Sequence, residues 1–378
     1  MTAPARSDRS AFAVWRRRTD WPIVVAAFGL IAFGLVLSLA AGPPAAARLG
    51  YPDYVFVQKH AVFAAAAVVV LLAASALNED WVRRVSALIF AGGFMVMALI
   101  LVLGTEVNGS QRWIRLFGVN LQPSEAVKPA LIILVGWLLA QREAFPGGPW
   151  APVAFALYGS TLGLLLLQPD VGQSALLTAT FVLTFFVSGL PIAWAASFAG
   201  GGAALAGILY ATLPHVRQRV NSFVSPAAYD THQIDVAQEA IARGGLLGVG
   251  PGEGAVKRAL PEAHTDFVYA VASEEFGLVG AGGLILGFTF ITLRGLQKAA
   301  RLADPYPRAA AAGLFALFGL QATINIGVNL SLLPPKGMTL PLVSYGGSSM
   351  VAIALTLGLG LALIRNARPH IRIRSAYA

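Results

Sequence analysis

Four groups of residues in this chain of 378 have types and spacings that could do chemistry. The first is Leu260-Pro261-Glu262-Ala263-His264-Thr265-Asp266-Phe267, where a carboxylate immediately precedes the apolar run Phe267, Val268, Tyr269, Ala270. Apolar surroundings raise a carboxylate's affinity for protons and so suit Asp266 to general-base work. The competing reading is a helix N-cap, since Asp or Thr at such a point satisfies the first free amides of a helix. Glu274 and Glu275, two turns further on, are paired acids within reach of a membrane and favour the functional reading. The second group is the stretch from Gly244 to Gly254, with six glycines in eleven residues, followed by Lys257 and Arg258. Its amides could nest an anion and its cations could meet a pyrophosphate, although a packed turn explains the glycines equally well. No Gly-Lys-Ser/Thr follows, so it is not a nucleotide-binding P-loop, and no strand-helix unit surrounds it.

The third group comprises Glu125, Lys128 and Asp170. Glu125 and Lys128 are spaced i,i+3 and share a helix face, while Asp170 sits in Gln168-Pro169-Asp170-Val171-Gly172. Charges inside apolar spans are costly and must pair or face a wet cavity. Two roles are open: a structural clamp with Lys128 bridging the two acids, or direct substrate handling. The fourth group runs from Asn325 to Met350 and contains Asn329, Pro334-Pro335-Lys336-Gly337 and Pro341-Leu342-Val343-Ser344-Tyr345-Gly346-Gly347-Ser348-Ser349. A polar island between apolar spans fits a broken turn lining a cavity, or a capped loop joining two helices.

The elements that must position these groups belong to a membrane. Apolar residues make up 57% of the chain and charged residues 12%, about half the charge that a soluble domain of this size carries. A soluble enzyme is excluded. With no cysteine, disulfides, thiolate metal sites and cysteine nucleophiles are excluded too. None of the five histidines has a metal-ligand spacing, and no basic patch interleaved with aromatics points to nucleic acid.

A crossing needs about 20 apolar residues. Residues 21–47, 60–78, 85–105, 145–169, 276–293, 309–335 and 337–364 lack Asp, Glu, Lys and Arg, and each holds one span. Residues 171–216 hold two, divided at Ser188-Gly189-Leu190-Pro191, and a further span lies near 122–140. The expected architecture is therefore all-α and polytopic, with ten transmembrane helices over 21–364, an N-terminal tail (1–20) and a C-terminal tail (365–378). The first apolar run is too long for a cleavable signal and is expected to be retained. Placing the arginines at 6, 9, 16, 17 and 18 in the cytoplasm puts 16 of the 27 basic residues on that side, with both termini there. A loop of about 214–265 then lies outside and carries ten formal charges. A loop that long is functional or disordered, and within it Ile234 to Ala242 has the spacing of a short amphipathic helix.

The chain resembles the SEDS family of bacterial cell-wall glycan polymerases, the FtsW and RodA proteins. The resemblance spans nearly the whole chain. It rests on Gly109-Ser110-Gln111-Arg112-Trp113-Ile114, Gln122-Pro123-Ser124-Glu125 with Lys128, Gln168-Pro169-Asp170, Leu260 to Phe267, and Pro341 to Ser349, in the family's order. Pro261-Glu262-Ala263-His264, the run Gly250 to Gly254 and Lys336 look more like the division member than the elongation member. The resemblance implies polymerisation of lipid II on the outer face of the bacterial cytoplasmic membrane, with Asp266 at the family's essential acidic position. The C4 hydroxyl of an incoming GlcNAc would attack the anomeric carbon of MurNAc at the end of the growing strand, and undecaprenyl pyrophosphate would leave. Substrate contacts are expected from Arg217, Arg219, Arg243, Lys257, Arg258, Lys336 and Ser344, unranked, and a divalent cation (Mg or Mn) is a candidate aid to the leaving group. The implied partners are a class B penicillin-binding protein, here an FtsI-like septal transpeptidase, and other division proteins. A lipid II flippase, an elongation-type polymerase and a structural scaffold are the alternatives.

Overall fold

A computed structural model describes residues 10–104, 112–116, 119–189, 200–202, 204, 207–208, 210–212, 217, 221, 232–260, 262–334 and 337–366. The ordered elements are α1 (Ala11–Arg18), α2 (Trp21–Arg48), α3 (Val55–Ser75), α4 (Glu79–Leu103), β1 (Ile114–Leu116), β2 (Val119–Leu121), α5 (Pro123–Ala144), α6 (Trp150–Leu167), α7 (Val171–Val187), α8 (His232–Gly244), α9 (Val268–Ala300), α10 (Pro305–Asn329) and α11 (Gly347–Asn366). Strands β1 and β2 form an antiparallel hairpin, with Arg115 opposite Asn120. Among the described residues, eight helices are long and apolar enough to cross a membrane. The seventeen residues of α7 are at the lower limit for a crossing. The chain is thus a multi-pass helical membrane protein. The expected span between Leu190 and His215 falls largely outside the described residues, as do the chain ends at 1–9 and 367–378.

Helices α5, α10 and α11 are largely buried, whereas α3, α4 and α6 present most of their apolar surface outward. That inversion suits a lipid solvent, where polar backbone must be satisfied within each helix but apolar side chains may face out. One apolar cluster joins α2, α3, α9, α10 and α11, and a second joins α4, α5, α6 and α7.

The two ends of the bundle differ in charge chemistry. At one end Arg294 Nε donates to Asp20 Oδ1 at 2.7 Å, Lys298 lies 3.4 Å from Asp20 Oδ2, and Arg365 donates to the carbonyls of Ser75, Ala76 and Leu77. At the other end lie the starts of α3, α5, α7, α9 and α11, together with the three acid-bearing groups.

Several helix boundaries differ from the charge-free intervals, two of them at the candidate site. Helix α9 begins at Val268 rather than near 276, because Glu274 and Glu275 are buried inside it with polar partners. It is two helices joined at Gly277, whose φ of 62° and ψ of −160° break the helical path. Residues 337–346 are not helical, and α11 starts at Gly347, since the hydroxyls and glycines there make turns instead. The amphipathic segment expected at 234–242 is helical and slightly longer, as α8.

Candidate active site

Asp266 lies on a turn of residues 262–267 that leads into α9. The N-cap position of the helix is the next residue, Phe267, which makes no side-chain cap bond. Two asparagines of α10 hold the main chain of Asp266. Asn325 Nδ2 and Asn329 Nδ2 donate to the Asp266 carbonyl at 2.9 and 3.0 Å, and Asn329 Oδ1 accepts from the Ala270 amide at 3.2 Å. Their i,i+4 spacing puts both amides on one face of α10.

The 337–349 segment closes on the same turn. Ser344 Oγ donates to the Thr265 carbonyl at 2.6 Å and accepts from the Leu340 amide at 2.8 Å. The Tyr345 amide donates to the His264 carbonyl at 2.9 Å, and Asn325 Nδ2 also reaches the Met338 carbonyl at 2.6 Å. Leu342 holds φ at 63°, a left-handed conformation costing about 1–3 kcal/mol for a residue with a side chain. This turn places Ser344 against the acid's backbone. Asp266 itself is half-buried, and its carboxylate lies against Gly337: a Cβ built there would stand 3.3 Å from Asp266 Oδ2. Hydrogen bonds from α10 thus hold the acid's carbonyl, and the residue as a whole is half-buried.

His264 packs at a tilt against Phe56 of α3 and Tyr345, with ring centroids 4.7 and 5.6 Å apart. Burial pushes its imidazole pKa below the ordinary 6.5, Glu262 opposes this, and Arg48 adds to it. Arg48 closes α2 and donates from Nη2 to the Leu260 carbonyl at 2.5 Å. The sequence reading missed Arg48, although a cation on the side opposite the arginine-rich end breaks the topological bias and could have marked it.

The ions of α5 and α7 form a second constellation at the same end. Lys128, 1% exposed, donates to Glu125 Oε2 at 3.0 Å and to Gln173 Oε1, and Gln173 Nε2 donates to Glu125 Oε1 at 2.6 Å. Asp170 is not Lys128's partner. Its Oδ2 takes Arg112 Nη1 and Gln122 Nε2, each at 3.2 Å, and its Oδ1 caps α7 at the Gln173 amide. Gln173 replaces Asp170 in the bridge because it lies one turn further into α7, level with Lys128. The two constellations touch through the serines of 344–349: the Gln122 amide donates to Ser348 Oγ at 3.1 Å, and Ser349 Oγ pairs with Thr339 Oγ1 at 2.8 Å.

The glycine-rich stretch is a packed turn. Glu274 accepts from the amides of Val256 and Lys257 at 2.8 and 3.0 Å, and Lys257 pairs with Glu275. Lys257, expected to meet a pyrophosphate, is thus turned inward. Arg243 and Arg258 are exposed. Arg217 is exposed and donates to the carbonyls of Tyr210 and Ala211. Arg219 and Lys336 lie outside the described residues. Among the described residues no three His, Asp or Glu side chains come together as a metal cage.

The sequence profile of the FtsW, RodA and SpoVE cell cycle proteins matches residues 21–369. A probable peptidoglycan glycosyltransferase FtsW of Caulobacter vibrioides (strain NA1000 / CB15N) is 48% identical over 364 residues, covering 96% of this chain and 93% of that one. Its counterpart in Allochromatium vinosum is 34% identical over 92% of this chain and 90% of its own. Among solved structures, one chain of a peptidoglycan synthase complex, described for its coordination of polymerization and crosslinking, superposes with a TM-score of 0.76 at 29% identity, covering 92% of this chain and 98% of that one. The rod shape determining protein RodA of Thermus thermophilus gives 0.66 at 27% identity, covering 92% of this chain and 97% of its own. With the profile covering nearly all of its helices, this chain belongs to the FtsW/RodA/SpoVE family.

Proposed function

We propose that this chain is a division-type peptidoglycan glycosyltransferase, which polymerises lipid II into glycan strands and releases undecaprenyl pyrophosphate. Asp266 is the general base. The observation that carries this reading is the mounting of Asp266, whose carbonyl is held by Asn325 and Asn329 and whose neighbouring Thr265 carbonyl is held by Ser344, with the half-buried acid beside Gly337. Asp266 takes the proton of the GlcNAc C4 hydroxyl. That oxygen bonds to the MurNAc anomeric carbon as the bond from this carbon to the pyrophosphate oxygen breaks, and the leaving pyrophosphate keeps the electron pair. The Asp266 carboxyl then returns its proton to solvent. Arg217, Arg243 and Arg258 are exposed cations of the same loop that could meet the leaving group, and Lys257 is committed to Glu275.

The arginine-rich end, with both termini, lies in the cytoplasm, and the acid faces the periplasm. A class B penicillin-binding protein is the partner that crosslinks the product. Support comes from the family relatives and from the similarity to a chain of a synthase complex. The test is to incubate purified protein and its cognate transpeptidase with lipid II and resolve the products on a gel. Asp266→Asn is expected to lower polymerisation by about 100-fold to 10,000-fold, the contribution of a positioned base, while partner binding persists. Normal-length glycan from that variant would refute the assignment. A transporter makes no demand on a carboxylate at this position.

A further inference from the structure

The loop joining α8 to Val256 carries two bare leucines at its tip: Leu246 and Leu247 stand 71% and 80% exposed, while Lys257, Glu274 and Glu275 packed beneath the loop are buried and its own Glu253 is exposed. Each leucine forgoes about 1.5–3 kcal/mol of burial if its surroundings are aqueous.

Backbone bonds decide where this tip sits. The amides of Leu278 and Val279 donate to the carbonyls of Gly245 and Leu246 at 2.9 and 3.2 Å, and the amides of Val249 and Gly250 donate to Glu274 and Glu275 at 2.9 and 3.1 Å. The break at Gly277 leaves those α9 groups free for the loop. A Cβ on Gly248 or Gly277 would strike the opposing backbone, so only glycine permits the approach. The leucine tip therefore lies beside Leu278 and Val279, which are 63% and 66% exposed, and the exposed apolar strip continues along α9 through Leu286 and Leu293.

Depth follows from helix geometry. Arg294, paired with Asp20, marks the other end of the strip. The seventeen residue steps from Gly277 to Arg294 span about 26 Å at roughly 1.5 Å each, close to the hydrocarbon thickness of about 30 Å. The break and the tip thus fall at the opposite lipid boundary.

We propose that Leu246 and Leu247 insert among the lipid acyl chains just beneath the headgroups and anchor the broken helix at that boundary. Acyl chains are the occupant because the tip is continuous with the lipid-facing strip of α9.

The absence of cysteine makes single-site spin labelling direct in the full chain. The variants are Leu247→Cys, Leu286→Cys as a reference within the bilayer, and Glu253→Cys as an aqueous reference, each in nanodiscs of phosphatidylglycerol and phosphatidylethanolamine. Collisions of the label with oxygen and with a water-soluble nickel chelate are measured. The expected result at 247 is an oxygen-to-nickel ratio well above that at 253 and below that at 286. A ratio equal to that at 253 would put the tip in water, and suppression of both collision rates would mean that protein covers it; either overturns the proposal. The measurement requires no turnover, so it stands apart from the glycosyltransferase reading.

Discussion

Replacing Lys128 by Met gives the sharpest test of how the buried ions work. The lysine is 1% exposed and Glu125 is 5% exposed, so the substitution strands a carboxylate whose remaining partner in the bridge is Gln173. Removing one member of a buried, hydrogen-bonded pair costs about 3–5 kcal/mol, because the other is left without a counter-charge. At an unfolding entropy of about 2 cal/mol/K per residue, that cost lowers the melting temperature of a chain this long by about 4–6 °C. Adding Glu125→Gln removes the stranded charge, so the double variant is expected to recover most of the loss. The assay is thermal unfolding in detergent micelles of the parent, both single variants and the double. Lys128→Met melting within about 1 °C of the parent, or a double variant at the sum of the singles, would refute the clamp.

Two further outcomes follow from the acid's turn. Asn329→Leu deletes two bonds to the turn and the start of α9, and is expected to leave a folded protein whose glycan synthesis falls about 100-fold in kcat with little change in KM, the scale for a misplacement of about 1 Å; unchanged kcat in the lipid II assay would remove its positioning role. Burial lowers the His264 pKa in the folded chain, so the unfolded chain binds its proton first on acidification; the stability tied to its neutral ring is complete above about pH 6.5 and is lost as pH falls below it. Melting temperatures from pH 7.5 to 5 should fall more steeply for the parent than for His264→Phe, and equal slopes would contradict the assignment.

Composition and charge spacing alone determined that this is a multi-pass helical protein. In lipid, an apolar span long enough to cross has no alternative to the helix, and charge-free intervals report it directly. Motif order pointed to the family, and the acid at 266 was visible as a carboxylate at the mouth of a span. Local sequence could not separate base from cap at that point, nor show how the turn is held; its bonds come from Asn325 and Asn329, about sixty residues away on another helix, and only the tertiary structure brings them there. Spacing likewise put Glu125 and Lys128 on one face but pointed to Asp170 as the third member, where the structure has Gln173, since the register of α7 against α5 depends on packing. Lys257 is the clearest case. A cation beside a glycine-rich run reads as an anion site, and its burial against Glu275 follows only from the helix break at Gly277, where the side chain absent from glycine makes room for a loop to bond into the open backbone.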